Sequence, residues 1–171
     1  MICNRKIYHI VWVTHNSRIS ERMKTYNVKM GKPMVLTLDD EIEITGFIRD
    51  IVMENKYIIL AYNICQHHVH LIFLCSEEER DQSIGNIKGK SAYLYKKSHE
   101  IKNTFHLWAQ KFNKKEITSY KQLMNTFKYI QYNRYKHDLP PNRALRPIIL
   151  QMLTSIDKGL DILQGIQTPC K

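Results

Sequence analysis

Apolar and polar positions change period several times along this chain, and each change marks an element. Residues 7–14 (IYHIVWVT) are rich in β-branched and aromatic side chains and read as a first strand. Residues 15–33 are polar, with Gly31-Lys32-Pro33 as a breaker. Thr37 or Asp39 can cap the helix that follows, and acidic residues crowd its first turn. Ile42, Ile44, Phe47, Ile48, Ile51 and Val52 form its apolar stripe. Residues 57–65 and 69–75 are two strands linked by residues 66–68, a spacing that fits an antiparallel hairpin. Both are apolar at most positions, which places them in the middle of a sheet. Residues 76–82 read as an acidic turn and 83–97 as a helix. Residues 104–112 read as a strand or extended arm. Residues 118–137 predict one long helix, capped by Ser119, with Leu123, Phe127 and Ile130 as core contacts and Tyr135 as a further candidate. Pro140-Pro141 stops it, and residues 144–163 predict a last amphipathic helix. The order β–α–β–β–α–β–α, with a hairpin at its centre, predicts the α+β class: a ferredoxin-like antiparallel sheet with packed helices.

Charge adds a direction to this picture. Residues 1–85 carry ten Lys/Arg against eleven Asp/Glu, whereas residues 86–171 carry sixteen against five. Fourteen of those sixteen fall between Lys88 and Arg146, diluted by only three acids. A basic half on a neutral half predicts a face for a polyanion, and nucleic acid is the expectation. The four cysteines, Cys3, Cys65, Cys75 and Cys170, have no disulfide or zinc-knuckle spacing. Cys65 and Cys75 sit in strand-like runs as small core residues. No signal-peptide pattern and no membrane-length apolar run is present, so a cytoplasmic, reduced protein with no membrane partner is expected.

The candidate chemistry begins at Gln66-His67-His68-Val69-His70. On a strand, His68 and His70 share one face while Val69, Leu71 and Phe73 take the other. Two imidazoles side by side on a rigid strand are a pair of metal ligands. In the predicted long helix, Tyr129 and Asn133 are four apart and share a face. A divalent cation held by imidazoles and an amide oxygen would neutralise the charge of a phosphodiester and polarise its phosphorus. A phenol beside it would serve as a nucleophile. Energy of the cleaved bond, kept in a phosphotyrosine, would let strands be rejoined without a nucleoside triphosphate. No GxxxxGK[ST] loop is present, in agreement. The donor set His68, His70 and Asn133 suits Mg²⁺ or Mn²⁺ better than a closed zinc site. Lys88, Lys90, Lys111, Lys114, Lys115, Arg134 and Lys136 are the candidate phosphate contacts. Trp108 and Phe112 read as core residues with base stacking as the other option. His9 receives no role.

His68-Val69-His70 resembles the HUH motif, histidine–bulky apolar–histidine. With Tyr129 downstream, the chain resembles the single-tyrosine HUH transposases (IS200-like), the REP-associated tyrosine transposase branch most of all. Four further segments carry the likeness in order. They are Tyr8-His9 through Asn16 for the first strand, Ile87-Lys88-Gly89-Lys90-Ser91, Leu107-Trp108-Ala109-Gln110-Lys111-Phe112, and Tyr129-Ile130-Gln131-Tyr132-Asn133. The resemblance implies metal ligation by His68, His70 and Asn133. It also implies attack by Tyr129 on single-stranded DNA near a hairpin, leaving a 5′-phosphotyrosine and a free 3′-hydroxyl. It divides the chain into a catalytic domain over residues 1–140 and a helical extension over 141–171 packed on it. In this family the active unit is a monomer or a homodimer. Two departures stand out: Arg134 where the family often has proline, and Ala109 inserted after Trp108. The first implies that the helix continues past the site. Two other readings remain open on the residues alone. One is a domesticated module that holds nucleic-acid hairpins without cutting. The other is a zinc protein using Cys65, His68, His70 and Cys75. Tyr132 is the rival nucleophile.

Overall fold

The computed structural model describes residues 4–164. Its strands are β1 (Arg5–Val13), β2 (Ile58–Cys65), β3 (His68–Ser76) and β4 (Asn113–Ile117). The helices are α1 (Glu21–Thr25), α2 (Leu38–Asn55), α3 (Glu77–Ser98), α4 (Tyr120–Gln131), α5 (Asn133–Lys136), α6 (Leu145–Met152) and α7 (Ile156–Leu163). The sheet order is β2-β3-β1-β4 and every neighbouring pair is antiparallel. α2 joins β1 to β2 and α3 joins β3 to β4, each crossing over one intervening strand. That is the split βαβ arrangement of the ferredoxin-like fold.

One sheet face is closed by α2 and α3. Ile44, Ile48 and Ile51 of α2 and Ile84 and Ile87 of α3 meet Tyr8, Ile10, Trp12, Val69, Leu71 and Phe73 in one core. The other face is closed by α4 and α7, where Leu123 and Ile130 meet Ile7, Ile72, Leu74 and Ile117. Thr37 caps α2 in a reciprocal box with Asp40, and Lys56 ends it in the left-handed region at φ 55°. Ser119 caps α4 through Gln122 N–H.

Several boundaries differ from the sequence pattern, each for a physical reason. Ser76 caps α3, so the acidic run 77–79 is its first turn and not a loop. The fourth strand is Asn113–Ile117, while Leu107 and Trp108 fill the core from irregular chain. The ring N–H of Trp108 donates to Ser91 Oγ at 3.0 Å. Residues 118–137 are two helices, broken at Tyr132 (φ −92°, ψ 7°). Tyr135 is exposed. Residues 144–163 are also two helices, because Leu153 and Thr154 run extended along β2.

β2 is an edge strand, yet nearly every residue in it is buried. Leu153 bridges Ile59 in parallel fashion and Thr154 N–H donates to Ile59 C=O at 2.8 Å. A bulge between Ile59 and Ala61 turns Leu60 toward α7. There Gly159 allows close packing, since a Cβ at that position would lie 2.6 Å from Leu60 Cδ2 and would push that side chain aside. α6 meanwhile contributes Leu145 and Met152 to the core under α2.

Lys88 is not a surface cation. It is buried on α3, and its ammonium donates to the carbonyls of Ala109, Gln110 and Lys111 at 2.8, 2.9 and 3.3 Å. It therefore ties the irregular chain before β4 to α3. Lys88→Met should lower the unfolding free energy by about 2 kcal/mol, the scale of charged hydrogen bonds lost in a buried place. Urea unfolding checks this; a midpoint equal to wild type would overturn it.

Candidate active site

The turn between β2 and β3 is Gln66-His67, so Cys65 pairs with His68 and Asn63 with His70. This register puts both histidines and both β2 residues on the face closed by α4 and α5. β1 adds His9 and Val11 to the same face. Asn63 Nδ2 donates to Ile130 C=O at 2.8 Å, which fixes the end of α4 over β2. The break at Tyr132 then starts α5 with Asn133 directed at the histidines.

The groups converge closely. Asn133 Oδ1 lies 2.7 Å from His68 Nε2 and accepts from Cys65 Sγ at 3.1 Å. Asn133 Nδ2 lies 3.4 Å from His70 Nε2. The far nitrogen of His70, Nδ1, is 3.1 Å from His9 Nε2. Asn133 is fully buried and both histidines are nearly so. The Tyr129 ring stands edge-on to His70 at 5.4 Å and to His9 at 6.2 Å. It is partly open to solvent, and the Lys136 ammonium lies 4.8 Å from its centroid. The His137 ring is 4.9 Å from that of His68.

Electrostatics keep the imidazoles neutral. Burial, with smaller effects from neighbouring histidines, lowers His68 to about 4 despite its bond to Asn133, and His70 to about 3. His9 is lowered by burial and by Lys115. Burial pushes the Cys65 thiol up to about 12, so it stays protonated. A neutral imidazole can offer a lone pair to a metal, and the two candidate ligand atoms His68 Nε2 and Asn133 Oδ1, 2.7 Å apart, lie near the spacing of neighbouring ligands around a small octahedral cation, about 3 Å. The donor set fits a hard-to-borderline divalent metal with open positions. The zinc alternative fails on position: Cys75 pairs with Lys6 at the far end of β3, seven positions from His68. The carboxylate group Asp40, Glu43 and His99 lies on α2 and the end of α3. Its atoms are already satisfied by Thr37, Tyr95 and one another.

These depressed histidines link stability to pH. Unfolded histidine titrates near 6.5. Between there and pH 4 the unfolded chain binds more protons, so stability is full above about 6.5 and falls as pH drops through that window. The metal-free protein should lose a few kcal/mol between pH 7 and pH 4.5, an order-of-magnitude figure for a coupled pair. Urea midpoints at the two pH values check this. Equal midpoints would mean the imidazoles are charged or solvated in the fold.

Sequence reasoning assigned no role to His9, because only the β1–β3 register reveals its place behind His70. It also treated Arg134 as a phosphate contact. Arg134 instead turns inward: NH1 pairs with Glu41 at 2.6 Å and donates to Ile64 C=O at 3.1 Å, while Nε and NH2 donate to Pro140 C=O. Glu41 is fully buried on α2, and burial raises its carboxyl. Asn142 Nδ2 is its second partner at 3.2 Å. Arg134 thus anchors the residue next to Asn133 to both the helix and the strand below it, where the family often turns with proline. The other basic candidates divide. Lys90 pairs with Glu54, and Lys114 pairs with Asp81 at 2.7 Å on the opposite sheet face. Lys111, Lys115 and Lys136 are exposed, with Lys115 directly opposite His9 on the site's face. Lys115, His9 and residues Gln122, Asn125 and Thr126 of α4 line a groove beside the histidines. Among the described residues no helix is long and apolar enough to cross a membrane.

Comparison with known proteins bears on the family and the fold. The family described as IS200-like transposase matches residues 3–133, which include His68, His70, Tyr129 and Asn133. A solved REP-associated tyrosine transposase bound to a REP hairpin superposes with a TM-score of 0.53 at 18% identity, covering 86% of each chain. A crystal structure of a candidate transposase from Deinococcus radiodurans superposes with a TM-score of 0.51 at 17% identity, covering 74% of this chain and 89% of that one. At such identities the two structures speak for the fold. No curated protein matches. A family match over most of the chain, on the fold that the sheet order describes, leads to one conclusion: this chain belongs to the IS200-like transposase family.

Proposed function

We propose that the protein is a metal-dependent single-strand DNA transferase acting next to DNA hairpins, with Tyr129 as nucleophile. The observation that carries this reading is the convergence of His68 and His70 on the Asn133 amide, with contacts of 2.7 and 3.4 Å, beside the Tyr129 ring. A bound Mg²⁺ or Mn²⁺ would neutralise the scissile phosphate and polarise its phosphorus.

The chain's own residues do the rest. His68 and Asn133 present Nε2 and Oδ1 as ligands, and ligation uses the His68 tautomer protonated at Nδ1. His70 is held in one orientation by His9 behind its Nδ1, as second partners hold metal-bound imidazoles elsewhere. Tyr129 Oη gives up its proton and bonds to phosphorus, and the bond from phosphorus to the 3′-oxygen breaks. That oxygen takes a proton and leaves as a free 3′-hydroxyl, with the 5′ side held as a phosphotyrosine. Attack by another 3′-hydroxyl reverses the step and restores the phenol. Lys136, over the Tyr129 ring, and Lys115, across from His9, bring positive charge to the DNA backbone. Residues up to 140 carry the catalytic groups, and 141–164 form a helical extension on the same sheet. The hairpin preference is drawn from the solved REP-associated relative.

The test is a cleavage assay on labelled single-stranded hairpin DNA with Mn²⁺ or Mg²⁺, read on a denaturing gel. A covalent protein–DNA band that chelator removes is expected. Tight hairpin binding with no covalent band under any metal would replace this reading with that of a non-cleaving hairpin binder.

A further inference from the structure

α4 has two working sides. Tyr129 faces the histidines, while Tyr132, three residues on, faces the other way, toward α6. Between α4–α5 and α6, above β2, runs a cleft of about 700 Å³. Its floor is apolar, formed by Phe127, Ile130 and Ile149, and Tyr132 and Tyr135 stand at its rim. Both phenols are largely exposed, 66% and 82%, in positions where a globular surface gains nothing from them. Three arginines line the cleft, and no aspartate or glutamate does. Arg134 is held by Glu41, but Arg143 and Arg146 are exposed and make no ion pair among the described residues. The cleft reaches Asn63, the strand partner of His70, so one strand position separates it from the candidate metal ligands.

Apolar floor, aromatic rim and unopposed guanidiniums match the chemistry of an unpaired nucleotide: a flat base to stack and a phosphate to neutralise. An acidic or neutral peptide would find no hydrogen-bonding edge strand here, because Leu153 and Thr154 already occupy the β2 edge. We propose that this cleft holds an unstacked base of the single-stranded DNA next to the cleavage point, with Tyr132 and Tyr135 as stacking faces and Arg143 and Arg146 on its phosphates. The proposal rests on the transferase reading and extends it: substrate would be gripped on both sides of α4, with cleavage on one side and selection of the flanking base on the other.

The test uses full-length protein in chelator, so that binding is read without cleavage. Two DNAs are compared, a hairpin with a single-stranded tail and the same hairpin without it, with 2-aminopurine walked along the tail. Expected is an emission change at one or two tail positions. Tyr135→Ala and Arg146→Ala should weaken binding of the tailed DNA about 5- to 100-fold, the scale of one stacked base. Tailless hairpin should bind within about twofold of wild type, and Tyr135→Phe should keep tailed binding. Both residues are exposed, so neither alanine threatens the fold. Equal losses on both DNAs, or no loss on either, would overturn the cleft as a base site. Failure of the transferase reading shows separately, as absence of a metal-dependent covalent band from wild-type protein.

Discussion

Tyr129→Phe is expected to remove the covalent protein–DNA adduct, a loss on the order of 10³-fold or more, as for deletion of other enzymatic nucleophiles. The same variant should bind hairpin DNA within about twofold of wild type, since only a hydroxyl is lost. The phenylalanine ring keeps the edge contacts with His70 and His9 and stays under Lys136. Loss of adduct with retained binding isolates the oxygen as the reacting atom. The rival, Tyr132, lines the cleft on the other side of α4, and its hydroxyl should be dispensable for adduct formation, so that Tyr132→Phe keeps the band. A covalent band that survives in Tyr129→Phe and disappears in Tyr132→Phe would reassign the nucleophile.

The second large effect lies in stability. Arg134→Met should destabilise the fold by about 3–5 kcal/mol, because it leaves the buried Glu41 carboxylate without a counter-charge, held by Asn142 alone. Glu41 has no exposed surface, and one of its oxygens, Oε1, already lacks a partner. Loss of the guanidinium also frees the Ile64 and Pro140 carbonyls that hold the turn after α5. The double variant Glu41→Leu/Arg134→Met should recover most of the loss, since an apolar pair of similar volume replaces buried charge at little cost. Urea unfolding of the three variants gives the answer. A single-variant loss below about 1 kcal/mol would mean that the pair is solvated. Metal affinity of the single variant should fall as well, because Asn133 loses the neighbour that holds it.

Local chemistry made much of this legible. Thr37 and Ser119 announce their helices, and the alternation through residue 73 assigns His68 and His70 to one face. Tyr129 and Asn133, four residues apart, both lie beside His70, although a helix break separates the two. What stayed hidden depends on register and on distant partners. Arg134 looked like a helix-surface cation because Glu41 is ninety-three residues away. Lys88 looked like part of a basic stripe because its acceptors are bare carbonyls, which leave no trace in side-chain patterns. β2 looked central because it is apolar throughout; a segment nearly a hundred residues later supplies the missing cover.

That cover also limits how copies of this chain can associate. Growth of a sheet into a fibre requires two open edges on each copy, one to receive and one to offer. Here Leu153 and Thr154 cover one edge at Ile59, while no strand pairs with the outer edge of β4 among the described residues. Edge-to-edge pairing of two β4 strands would bring two copies together about a two-fold axis. Lys115, repeated on each side of such an axis, would oppose that step at low salt. The contact of Leu153 and Thr154 with Ile59 thus makes the two edges of the sheet unequal: one is partly covered by the chain itself, the other open.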